Sequence, residues 1–144
     1  MKQIIFYLVL LQSSILFGQT TSSSEIKDSS NIYNIALRVY LSDAVISDEL
    51  FVEKNDITTS SMPEQLGGVT IQLMNIRQIR KKAKKGPFTL YRIIPLRFEE
   101  GIFFVNVIPF NVKCKRKNLQ MANQGGVTVK FKYNCETNTL SVLN

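Results

Sequence analysis

Two apolar-rich stretches, residues 88–98 and 102–114, flank the polar turn Glu99-Glu100-Gly101. Their length and the two-to-three-residue break between them require a long β-hairpin. In the first stretch Phe88, Leu90, Ile94, Leu96 and Phe98 fall on one face, with Arg92 among them. In the second, Ile102, Phe104, Ile108, Phe110 and Val112 do so. A two-stranded hairpin is marginal in water, so further strands or a helix must cover its apolar face. Pro95 and Pro109 each remove a ladder donor and mark a bulge or an edge position.

The rest of the chain supplies the cover. Residues 32–46 place Ile32, Ile35, Ala36, Val39 and Tyr40 at helical spacing, and Tyr33, Leu37, Leu41 and Ala44 widen that face. Ser29 or Ser30 can cap the start. A short strand is predicted at 49–53. Pro63 can open a single helical turn through Leu66, stopped by Gly67-Gly68. Residues 69–74 alternate as a strand. Asn75 can cap a second, basic helix over 76–85, with Ile76, Ile79 and Ala83 on one face. Gly86 and Pro87 end it. Residues 127–135 alternate most cleanly, with Val127, Val129, Phe131, Tyr133 and Cys135 on one side, and 139–143 follow as a last strand. The pattern predicts an α+β fold: an N-terminal helix packed on a curved antiparallel sheet of four to five strands, with a short basic helix.

The N-terminus reads as a leader. Lys2 precedes an unbroken apolar run from Ile4 to Leu11, extended by Ile15, Leu16 and Phe17, and Gly18-Gln19 opens a Thr/Ser stretch. This is the layout of a secretory signal peptide over residues 1–19, cut after Gly18 or Gln19. A membrane anchor would need about 20 apolar residues, and Gln12, Ser13 and Ser14 interrupt the run. Residues 20–31 form a polar lead-in, and 32–144 form the domain. The expected location is periplasmic or extracellular. Export matters for Cys114 and Cys135, because disulfides persist in oxidising compartments. If Asn123-Gln124-Gly125-Gly126 is a hairpin turn centred between Gln124 and Gly125, the two cysteines face each other. That register favours a Cys114–Cys135 disulfide over two separate thiols.

Chemistry is constrained by what is missing. The 144 residues contain no histidine, which removes the commonest general base and the usual neutral metal ligand. The cysteines lack zinc-site spacing, and no glycine-rich phosphate loop follows a strand. Glu99 and Glu100 sit on a solvated hairpin tip, and Asp43, Asp48 and Glu49 read as a polar helix exit. No catalytic residue, metal or cofactor is expected.

Charge is the distinctive feature. The net charge is +7. Residues 20–76 carry 8 acidic and 3 basic side chains, whereas 77–144 carry 3 acidic and 14 basic. The densest cluster is Arg77, Arg80, Lys81, Lys82, Lys84 and Lys85. Lys113 and Lys115 would share an outward sheet face with Lys130 and Lys132. Such a surface can bind anionic polysaccharide, lipid headgroups or an acidic protein. Export argues against nucleic acid. The plainer reading of the same charges is a solvated surface.

The helix 32–46, the loop Met62-Pro63-Glu64-Gln65-Leu66-Gly67-Gly68 and the ending Phe131-Lys132-Tyr133-Asn134-Cys135-Glu136 together resemble a group of small exported bacterial proteins of unassigned function. Their order of elements is similar to cystatin-like and NTF2-like folds. The resemblance implies a helix held against a concave sheet and brings no catalytic residues with it. The expected function is that of an exported, non-catalytic binding protein contacting an anionic partner through its basic C-terminal half. The alternative is an NTF2-like pocket protein that binds or transforms a small apolar molecule.

Overall fold

A computed structural model of the chain describes residues 31–43 and 48–143. The predicted signal peptide, the serines expected to cap the first helix and residues 44–46 of that predicted helix lie outside the described residues. The elements run α1 (Ile32–Asp43), β1 (Glu49–Glu53), β2 (Gln65–Leu66), β3 (Val69–Met74), α2 (Ile76–Ala83), β4 (Phe88–Glu99), β5 (Ile102–Lys115), β6 (Asn118–Asn123), β7 (Val127–Asn134) and β8 (Thr139–Leu143). The fold is α+β, as expected. The sheet is larger than the four to five strands predicted, with eight among the described residues. It is mostly antiparallel, with parallel pairs only where β1 meets β3 and β4. No helix among the described residues is long and apolar enough to cross a membrane.

Asn31 starts α1: its side chain accepts from Tyr33 N at 3.0 Å, and its carbonyl accepts from Asn34 N and Ile35 N. The helix buries Ala36 and Leu37 against Leu50, Val52, Ile71, Ile93, Val105, Val107, Val129 and Phe131. A second, smaller core lies on the opposite sheet face. There α2 buries Ile79 and Ala83 against Met74, Leu90 and Val112. Ile76, expected to share that face, is 53% exposed. It sits in the first turn of α2, ahead of the segment that meets the sheet.

The largest departure from expectation is at residues 115–127. The hairpin turn is not at Asn123–Gly126. It is at Arg116-Lys117, between the paired residues Lys115 and Asn118, with both turn residues at positive φ (49° and 69°). From there β6 and then β7 run along the same edge of β5. Asn123 opposes Phe110 and Val127 opposes Val107, so β6–β7 has one residue more than β5 across this interval. Gln124–Gly126 is therefore a bulge rather than a turn. Gly125 takes φ +96°, and a Cβ on Gly126 would come within 2.7 Å of the Val107 carbonyl oxygen. Pro109 sits where β5 changes partner, and its carbonyl accepts from Gln124 N at 3.0 Å. Pro95 lies in a second irregularity, between Ile94 and Arg97 of β4. Both prolines thus stand where a donor is not needed.

Two further expectations are corrected. Cys114 opposes Leu119, while Cys135 follows β7, and both thiols are free. The register that favoured a disulfide does not form. The Pro63–Leu66 helical turn is also replaced. Gln65–Leu66 pairs with β3 around Gly67-Gly68, whose φ values of 60° and 83° make a tight two-residue hairpin turn. In β4 the bulge at Pro95 splits the single apolar face predicted there. Phe88 and Leu90, ahead of it, face α2, whereas Phe98, beyond it, pairs with Phe103 on the α1 side, their rings 4.8 Å apart.

Two measurements test this account. Non-glycine residues in the left-handed region cost about 1 kcal/mol each, and Asn-Gly suits such a turn. Arg116→Asn with Lys117→Gly should therefore raise stability in urea denaturation by about 1 kcal/mol or more. On the α1 face the Tyr40 and Tyr91 rings meet edge-on at 5.4 Å. Burial, and then the neighbouring Tyr40, push the Tyr91 phenol up to about 12. The unfolded chain loses that proton near pH 10 and the folded chain later, so stability should fall as pH rises from 10 towards 12. Tyr91→Phe should flatten that fall in a pH series.

Candidate functional site

The basic helix is built by its own ends. Asn75 Oδ1 accepts from Arg77 N and Gln78 N, both at 3.0 Å, and Gln78 Oε1 accepts from Asn75 N at 2.8 Å. This reciprocal capping box satisfies the first free donors of α2. Arg80, Lys81 and Lys82 fall in the last turn, where cations meet the negative end of the helix dipole. Ile79 and Ala83 anchor one side to the sheet. The anchoring fixes the rotation of α2, and with it the direction of each cation.

Gln78, Lys81 and Lys82 stand at i, i+3 and i+4 and line one side of the helix, and Lys85, two residues past its end, borders the same cleft. With Gln72, Leu73 and Met74 of β3 they border an open cleft of about 240 Å³. A contiguous cleft of about 230 Å³ shares Lys82 and Lys85 and continues to Gly86, Pro87 and Phe88. Lys82 is held in place: its Nζ lies 3.7 Å from the centre of the Phe51 ring and 5.5 Å from that of Phe88. A cation over an aromatic face is attracted by the ring quadrupole. Gln72 donates from Nε2 to Glu49 Oε1, which orients its amide. No acidic side chain borders the cleft itself.

The ten predicted anion-binding residues do not form one surface. Lys81, Lys82 and Lys85 meet at the cleft. Arg77, Arg80 and Lys84 are exposed on the remaining side of α2. Lys113 opposes Gln120 in β6, on the sheet face that α1 covers elsewhere. Lys130 opposes Phe104, and the alternation of β7 around the core residues Val129 and Phe131 turns Lys130 and Lys132 to the α2 face. The expectation that Lys113 and Lys115 share a face with Lys130 and Lys132 is thus overturned. The one-residue bulge between β6 and β7 inverts the alternation.

Arg92, out of place in an apolar pattern, has two partners. Its Nε and Nη2 both donate to the Glu53 carboxylate, and its guanidinium lies 4.9 Å from the Phe110 ring centre. Glu99 and Glu100 are exposed on the β4–β5 turn, and Asp43 and Asp48 are exposed as well. Among the described residues no three or more His, Cys, Asp or Glu side chains gather where they could hold a metal ion. Gln72 and Gln78, which complete the cleft, were not singled out from the sequence. The helical phase of 78 with 81 and 82 contained the signal for one of them.

No known protein family, no curated protein and no solved structure matches the chain.

The cap controls the site. Asn75→Ala leaves two amide donors without their acceptor and should cost about 1 kcal/mol in chemical denaturation. Amide exchange should quicken first at residues 76–79, ahead of the sheet.

Proposed function

We propose that the chain is exported and serves as a non-catalytic binding module that holds an anionic group at the α2 cleft. The observation that carries this reading is the convergence of Lys81, Lys82 and Lys85 with the Gln72 and Gln78 amides around a cleft without a bordering carboxylate. Ammonium groups supply charge and the amides supply donors. Together they suit a carboxylate, phosphate or sulfate borne by a polysaccharide, a lipid headgroup or an acidic protein. The leader-like residues 1–19 support export to the periplasm or beyond. The pocket alternative draws less support. Ala36, Leu37, Val105 and Phe131 are fully buried where α1 meets the sheet, so side chains fill the interface in which such a pocket would open.

The test is binding of the mature chain to a carboxylated polysaccharide and to vesicles containing an anionic phospholipid, across a salt series. Lys81→Gln with Lys85→Gln should weaken binding about tenfold or more, the effect of losing one charge-assisted contact. It should also flatten the salt dependence. Arg77→Gln with Arg80→Gln removes the same charge from the outer side of α2 and should do less. Equal losses from the two pairs would reduce the cleft to general surface charge. No binding at low salt would overturn the reading.

A further inference from the structure

β8 is the last strand in the sheet order, and among the described residues nothing pairs with its outer edge. Edge strands expose a row of backbone donors and acceptors, and proteins blunt them with charge, proline or bulges. β8, Thr139-Leu140-Ser141-Val142-Leu143, has no charged residue and no proline, and its pairing with β7 is regular over all five positions. The sheet beside it is two-sided. On the α1 face Leu140 opposes Tyr133 and Val142 opposes Phe131, and Leu140 and Tyr133 remain 38% and 43% exposed. On the other face Lys132 opposes Ser141 and Lys130 opposes Leu143. Neither lysine is ion-paired among the described residues. An open cleft of about 480 Å³ surrounds Lys132 and Ser141, with Glu136 the one acidic side chain on its border.

We propose that the β8 edge takes up an extended segment of a partner protein as an additional strand, and that this segment alternates apolar and acidic residues. The backbone row gives the pairing. Alternation of side chains across a strand puts the partner's apolar residues beside Leu140 and Val142 and its carboxylates on the lysine face. Ser141 is short, so it leaves Lys132 room to reach over β8 to a carboxylate on the added strand. Charge favours this occupant over a second copy of the chain. Two copies joined at β8 would leave Lys130 and Lys132 without counter-charge, and each chain already carries +7. The surface lies at the opposite end of the strand order from β3, so it does not rest on the anion cleft at α2.

The test is amide hydrogen exchange of the whole mature chain with three ten-residue synthetic peptides: alternating Val and Glu, alternating Val and Lys, and all Glu. The Val/Glu peptide should slow exchange at 139–143 about tenfold or more, and the other two should not. In Lys130→Glu with Lys132→Glu, the preference should invert to the Val/Lys peptide. Both positions are exposed, so the exchanged charges should not disturb folding. Equal protection by the all-Glu peptide would overturn strand addition. So would protection confined to 76–85, which would instead report the α2 cleft. Protection of 139–143 that appears without peptide and grows with protein concentration would assign the edge to a second copy.

Discussion

The backbone pairing of β5 is the constraint on which the rest depends. Its 14 residues span the sheet, and each non-proline residue must place both a donor and an acceptor. β4 takes one edge along most of that length. The other edge is too long for one regular strand, because Pro109 has no donor to give. The chain answers with two strands in line, β6 and β7, joined by a bulge beside Pro109. The carbonyl of Pro109 is met by Gln124 N, and the close approach of Gly126 to Val107 leaves no room for a side chain. A proline on one strand and two glycines on the next are thus parts of one device.

That device also explains why the molecule has two cores. A one-residue insertion reverses which residues of a strand face which side. Leu119 and Met121 of β6 pack towards α2, while Val129 and Phe131 of β7 pack towards α1. Each helix therefore finds an apolar surface only over its own part of the sheet. The same reversal separates Lys113 and Lys115 from Lys130 and Lys132.

How much of this the sequence discloses depends on the kind of signal. β3, β7 and β8 show a clean period of two, and their bounds are legible to within a residue. The long hairpin is legible because Glu100-Gly101 is a recognisable turn between apolar runs. β6 is not, because Asn118-Leu119-Gln120-Met121-Ala122-Asn123 has few apolar residues, and its turn, Arg116-Lys117, contains none of the residues that favour positive φ. Gly125-Gly126 carries the turn composition instead, and composition alone does not separate a bulge from a hairpin. β2 is hidden for a related reason: two residues are too few to show a period. At the site, the lysines are visible as charge and their side of the helix follows from the 3.6-residue repeat. Gln72 is not visible, because it arrives from β3 through tertiary packing.

The charge layout can then be divided by cause. The acidic first half and the basic second half can neutralise each other within the fold, as Glu53 does with Arg92. That pair involves none of the α2 cations. The helix dipole accounts for a preference for cations in the last turn of α2, and the Phe51 and Phe88 rings account for Lys82. Neither explains why Lys81 and Lys85 flank Lys82 on the side where two glutamine amides also border the cleft. An anion in that cleft would reduce their mutual repulsion and could accept from the Gln78 amide. Gln78 also closes the capping box and Gln72 also bonds Glu49, and both amides border the cleft, which separates it from the outer side of the same helix.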